Sequence, residues 1–196
     1  MHTLSQADTL IGAALAPLDR TRSVSLVFGF SLLVALSAQI VIAIGPVPIT
    51  AQTFAVLLTG ALLGSRMGAA AIIIYLAEGA IGLPFFSGGR GGLAHLLGPT
   101  GGYLVAFPAA AFITGAFAEH GWDKRFLTAA AAMAIGSVLI MLSGWAWFSL
   151  VTNTPMAVSF QTTVLTFIPG DLIKILLAAA LLPTGWKLLQ RGDQSR

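Results

Sequence analysis

Long apolar stretches recur along the chain, each about one membrane crossing in length and separated by short polar breaks. Six can be marked off: residues 24–44, which carry no charge; 49–63, entered through Gly45-Pro46-Val47-Pro48; 67–83, containing Glu78; 100–118, interrupted by Pro108; 126–150; and 161–182. Roughly 20 apolar residues in a helix cross about 30 Å of hydrocarbon. The pattern therefore predicts an all-α integral membrane protein, a compact bundle of six transmembrane helices. Connections are short except for the glycine-rich residues 84–99, and nothing divides the chain into two domains. It reads as one transmembrane domain over 23–186, with tails at 1–22 and 187–196. In the first tail Leu4, Ala7, Ile11, Ala14, Leu15 and Leu18 recur at helical spacing, which suggests a short helix on the membrane surface or, equally, an unstructured tail.

Composition supports the membrane reading. The chain is 57% hydrophobic and only 9% charged, whereas a soluble domain carries about a quarter charged residues. It has no cysteine, which excludes disulfides and thiolate chemistry. His2, His95 and His120 are too scattered to suggest a metal centre, and no nucleic-acid partner is expected. The distribution of charge orients the chain. With a cytoplasmic N-terminus, Arg20, Arg22, Arg66, Lys124, Arg125, Lys187, Arg191 and Arg196 all fall inside, eight of the ten cations. The positive-inside rule then puts both termini in the cytoplasm. Trp145 and Trp147 near the outer end, and Trp122 and Trp186 near the inner end, fit aromatic belts.

The last span is the unusual one. Asp171 and Lys174 lie three residues apart on one helical face, although each would cost roughly 2.5–3.5 kcal/mol at a bilayer centre. Such residues mark a wet cavity or a ligand site by default, and a structural ion pair is the alternative. Pro169-Gly170 weakens the backbone ladder beside them, and Gly170 would let a ligand approach the chain. With both ends inside, Glu78, Arg90 and Gln52 join Asp171 and Lys174 in the extracytoplasmic half, and the cytoplasmic halves carry nothing comparable. Residues 84–95 read as a lid over that site, or as a plain surface loop. As a lid, Phe85 and Phe86 would offer apolar faces, Gly89 and its neighbours tight turns, and Arg90 a fork suited to a carboxylate.

Other chemistries fit poorly. No G-x-x-x-x-G-K-[ST] string is present for nucleotide phosphates. Ser87 lacks a G-x-S-x-G elbow. An intramembrane aspartyl protease would need a second aspartate within a span. The chain is not expected to be an enzyme and no cofactor is implied. An ion or proton pathway through Glu78, Asp171 and Lys174 is the rival from another class. Ser31, Ala35, Ala38 and Ala43 give the first span a small-residue surface where a partner helix could pack, or simply an internal contact.

Several motifs together resemble one family. They are Gly45-Pro46-Val47-Pro48-Ile49-Thr50-Ala51-Gln52-Thr53, Gly79-Ala80-Ile81-Gly82-Leu83-Pro84-Phe85-Phe86, Gly88-Gly89-Arg90-Gly91-Gly92, Gly98-Pro99-Thr100-Gly101-Gly102-Tyr103 and Pro169-Gly170-Asp171-Leu172-Ile173-Lys174. In this order and spacing they resemble the BioY family, biotin-specific S components of energy-coupling-factor vitamin transporters, over about residues 23–183. The resemblance implies a six-helix fold in the bacterial cell membrane and a biotin site beneath the outer loops. It implies that Asp171 and Lys174 contact the vitamin while Arg90 and its loop close over it. It also implies partners, namely a transmembrane coupling subunit and two cytoplasmic ATPases. An S component for another vitamin is the neighbouring alternative. The first span lacks a clean A-x-x-x-A, since Gln39 follows Ala35 by four residues.

Overall fold

The computed structural model describes residues 9–15 and 17–194. The chain forms α1 (Leu10–Leu15), α2 (Arg20–Ser37), strands β1 (Val41–Ile42) and β2 (Ile49–Thr50), then α3 (Gln52–Leu63), α4 (Ser65–Ala80), α5 (Leu93–Leu96) and α6 (Gly101–Glu119). A 3-10 turn at Trp122–Lys124 leads into α7 (Phe126–Thr152), α8 (Met156–Phe160), a π-helical turn at Gln161–Leu165 and α9 (Ile168–Gln194). Among the described residues four helices are long and apolar enough to cross a membrane: α2, α6, α7 and Ile168–Arg191 of α9. At 1.5 Å per residue the twelve residues of α3 extend only about 18 Å. The sequence places a span at 49–63, but its first residues are a strand. β1 and β2 pair antiparallel, Val41 with Thr50 and Ile42 with Ile49, and the Gly-Pro loop between them turns through Gly45 at a φ of 79°.

Helix α6 is central, packing on α7, α3 and α4, with α9 against α7 and α2 against α4. Close approach there requires small residues. A Cβ on Gly144 of α7 would collide with the Tyr103 ring of α6. Two ends of the bundle can be told apart. The hairpin end holds β1–β2, residues 81–100 and the start of α9. The tail end holds Gly64, residues 120–125 and the end of α9.

The tail end corrects several expectations. Far from lacking polar groups, it contains one buried acid, Asp123, and one half-buried acid, Glu119. Glu119, at the end of α6, accepts the Ser65 N–H at 2.7 Å and the Ser65 hydroxyl at 2.9 Å. It thereby caps the first turn of α4, just after the chain has turned through Gly64 at a φ of 87°. Asp123 is only 2% exposed and accepts from Trp186 Nε1 at 2.6 Å, while Lys124 Nζ sits 4.5 Å above the same indole. Trp186 is thus a buried hydrogen-bond donor and not a belt residue. Burial pushes the Asp123 carboxyl above its usual range, against the opposing pull of Trp186 and Lys124. The hydropathy of the spans conceals this cluster because its members come from the α6–α7 connection and the far end of α9.

Helix α1 packs on α3 and α9, with Leu10 against Gly185, so it is docked on the bundle and not free on a surface. Leu4, Ala7 and His2 lie outside the described residues. Ser31, Ala35 and Ala38 are buried on the side of α2 that packs on α4, and Ala43 lies exposed in the hairpin loop. The small residues let α2 approach its own neighbours, and α2 turns Phe28, Leu32 and Leu36 outward instead.

Candidate functional site

At the hairpin end a cavity with about 580 Å³ of empty space, part of it open to the outside, is enclosed by six segments. The hairpin supplies Val47, Pro48 and Thr50; α3 supplies Gln52 and Thr53; the long loop supplies Ser87 and His95. Helix α6 adds Tyr103, Leu104 and Phe107, α7 adds Ile140 and Met141, and the start of α9 adds Phe167, Asp171 and Lys174. Apolar walls with a few convergent polar groups are the usual makeup of a small-molecule site.

Local backbone chemistry aims the two charges. A π turn at Gln161–Leu165 precedes α9, and such turns often mark functional sites. Tyr103 donates its hydroxyl to the Thr163 carbonyl there at 3.1 Å. Helix α9 starts at Ile168, so Pro169 falls in the first turn, where its missing N–H costs nothing. The expected weakening of the ladder at Pro169-Gly170 is therefore displaced upstream, to the π turn and Thr166–Phe167. Asp171 then lies in the first turn, where the helix dipole favours a negative charge. Gly170 is half-buried beside Ile49 and does not line the cavity.

Asp171 and Lys174 are held by different partners. Asp171 is 8% exposed, and its Oδ2 accepts from Ser137 of α7, a residue that the spacing of charges along the chain does not reveal. Lys174 Nζ donates to the Thr50 carbonyl at 2.7 Å and to Thr53 Oγ1 at 2.9 Å. An ammonium has three donors, so one remains. Asp171 Oδ1 has no hydrogen-bond partner among the described residues.

The other expected site residues divide into supports and bystanders. Gln52 reaches the cavity wall, but its amide donates to the Tyr75 hydroxyl at 2.6 Å and accepts from Thr50 Oγ1 at 2.9 Å. Tyr75 in turn donates to the Phe85 carbonyl at 3.3 Å, so hairpin, α3, α4 and loop form one relay. Phe86 is fully buried. It packs edge-on to Tyr75 at 5.7 Å and stacks on His95 at 5.2 Å. It anchors the loop to α4 and presents no face to the cavity; nor does the half-buried Phe85. Gly89, at a φ of 70°, donates its N–H to Gln39 Oε1 at 2.9 Å, and Gln39 Nε2 donates to the Phe86 carbonyl at 3.3 Å. Gln39, just past α2, is thus a clasp on the loop.

Arg90 is exposed and lines a neighbouring groove with Gly45, Pro46 and Gly88. Pro48 and Ser87 belong to both spaces, so the groove adjoins the cavity. Glu78 does not line the cavity, and its Oε2 is buried without a hydrogen-bond partner among the described residues. The expected convergence of five polar side chains therefore reduces to three, because Glu78 and Arg90 project elsewhere from their own elements. His95 replaces them on the wall. Partial burial, and secondarily the Arg90 charge, lower its pKa below the ordinary 6.5, which keeps the ring neutral at pH 7. Among the described residues no cluster of side chains could hold a metal ion.

Comparison with known proteins places this architecture. The family model described as the BioY family matches residues 6–191. A probable biotin transporter BioY of Pyrococcus horikoshii is 44% identical over 156 residues, 79% of this chain and 90% of the relative. The biotin transporter BioY of Rhizobium etli is 41% identical over 166 residues, 76% of this chain and 88% of the relative. Among solved structures, the crystal structure of the S-component for biotin from an ECF-type ABC transporter superposes with a TM-score of 0.79 at 28% identity. It covers 88% of this chain and 95% of that one. On the family match and these relatives, this chain is a member of the BioY family.

Proposed function

We propose that this chain is the biotin-binding S component of an energy-coupling-factor transporter. The observation that carries the reading is that an acid and a base, not paired to each other, border one cavity with apolar walls. Biotin has a ureido group with two donors and an acceptor, an apolar body and a carboxylate. Asp171 Oδ1 would accept from a ureido N–H, and the third donor of Lys174 would meet an anionic or carbonyl oxygen. The apolar body would lie against Phe107, Ile140 and Phe167. The carboxylate would reach Arg90 by way of Ser87 and the adjoining groove. Gln52, Phe85, Phe86 and Gly89 then shape the site from behind, while Glu78 and Gly170 make no ligand contact.

In this reading the chain crosses the cell membrane six times, with both termini in the cytoplasm and the hairpin end outside. Because α3 is short, the Thr50 carbonyl lies at membrane depth, and non-helical backbone is tolerated there where it borders a cavity. Its hydrogen bond from Lys174 supplies the partner that lipid cannot. Energy would come from a separate module, a transmembrane coupling subunit with two ATPases. Titration of labelled biotin into the purified chain tests the proposal: saturable one-to-one binding that excess thiamine or riboflavin does not displace is expected. Displacement by another vitamin would reassign the substrate. Proton flux in liposomes containing this chain alone, without a vitamin requirement, would favour an ion pathway.

A further inference from the structure

A second space, sharing no lining residue with the binding cavity, lies along a face of α2 turned toward α1. It is an open groove of about 1280 Å³, surrounding space included, between α1 and the first four turns of α2. Arg22 and Ser25 line its tail-end mouth, followed along the helix by Gly29, Phe30 and Leu33, with Leu15 of α1 opposite. From Arg22 to Leu33 the rise is about 17 Å, close to the ~15 Å half-thickness of a bilayer core. The groove is therefore cationic and hydroxylated at one end and apolar at the other, over the depth of one leaflet.

We infer that this groove is a site for an anionic phospholipid, with its phosphate on Arg22 and an acyl chain along Gly29, Phe30 and Leu33. Charge complementarity selects this occupant. No carboxylate is among the residues lining the groove, and the nearby Asp19 is engaged as the N-cap, accepting the Arg22 N–H at 2.7 Å. Among the described residues the Arg22 guanidinium has only a long contact, 3.4 Å to the Pro17 carbonyl, and so keeps donors for a phosphate. Guanidinium forks match phosphate oxygens, and basic pockets between helices on the cytoplasmic side bind anionic head groups. Gly29 keeps the floor open: a Cβ there meets nothing within 4 Å. A helical partner would need no such polar-to-apolar gradient within one leaflet.

Native mass spectrometry of the full chain in detergent, with phosphatidylglycerol or phosphatidylcholine added, tests the inference without reference to substrate or orientation. One phosphatidylglycerol should be retained at least tenfold more tightly than phosphatidylcholine. Arg22→Gln should reduce that preference at least fivefold while Arg22→Lys largely keeps it. Gly29→Trp should displace lipid of either kind, and melting temperature and vitamin binding should stay near those of the parent chain in the Arg22 pair. Equal retention of the two lipids, or a preference unmoved by Arg22→Gln, would overturn it. So would a dimer that dissociates on Gly29→Trp, since the groove would then hold a second copy of the chain.

Discussion

The two ends of the bundle use the same chemical materials for opposite purposes. Both bury carboxylates among apolar helices. At the tail end Glu119 has its oxygens on the Ser65 N–H and hydroxyl, and Asp123 accepts from Trp186 at Oδ2 while its Oδ1 is buried without a hydrogen-bond partner among the described residues. At the hairpin end Asp171 and Lys174 are each only partly satisfied and border an open space. A bonded polar group stiffens a fold, and a bond left to make can meet a ligand only where a cavity reaches it. What distinguishes a joint from a site here is unused valence beside a void.

This contrast can be broken from either side. The largest effect is expected at the hairpin end. Lys174→Ala or Asp171→Asn should weaken biotin binding at least tenfold, about 1.4 kcal/mol or more, in a titration with labelled vitamin, while the melting temperature changes little. Unchanged affinity in both variants would remove the site assignment. Next, Trp186→Phe strips Asp123 of its donor and should cost about 1–3 kcal/mol of stability, seen as a lower melting temperature at unaltered affinity. Because burial raises the Asp123 pKa, the carboxyl is easier to keep protonated in the fold at low pH. The defect in Trp186→Phe should therefore grow as pH rises and shrink on acidification.

A smaller change is expected at the clasp. Gln39→Ala frees the loop at Gly89 and Phe86 and should speed biotin release about fivefold, about 1 kcal/mol, in a pulse-chase measurement. An unchanged release rate would mean that the loop closes without it. The smallest effect belongs to His95, whose pKa is lowered in the fold. Below pH 6.5 the unfolded chain takes up a proton that the folded ring resists, so stability should decline on acidification. His95→Gln should flatten that decline in melting curves taken between pH 7.5 and 5.5.

Much of this was legible in the chain. The apolar runs give the positions of α2, α6, α7 and α9, because burial in lipid imposes a length that hydropathy records. Asp171 and Lys174 stand out because lipid rejects them wherever they do not meet something polar. Residues with no such signature were less legible. Ser31, Ala35 and Ala38 suit an inward or an outward helix contact equally, and only packing on α4 decides between them. Phe86 reads as an apolar face of a lid, or part of a plain surface loop, and becomes an anchor only once Gly79 is seen to leave room for its ring. Ser137, Gln39 and the Asp123–Trp186 contact join positions distant in sequence, where no spacing rule applies.

The π turn before α9 has a consequence for how this site could be lost or altered. It holds one residue more than an α-helical turn would, and successive helical residues are set about 100° apart. Deleting a single residue between Gln161 and Leu165 would restore ordinary winding and swing Asp171 and Lys174 round the axis, away from Thr50 and Ser137 and out toward the acyl chains. The aim of both charges therefore hangs on one inserted amino acid, and a change of count there would disarm the protein with every functional side chain still present.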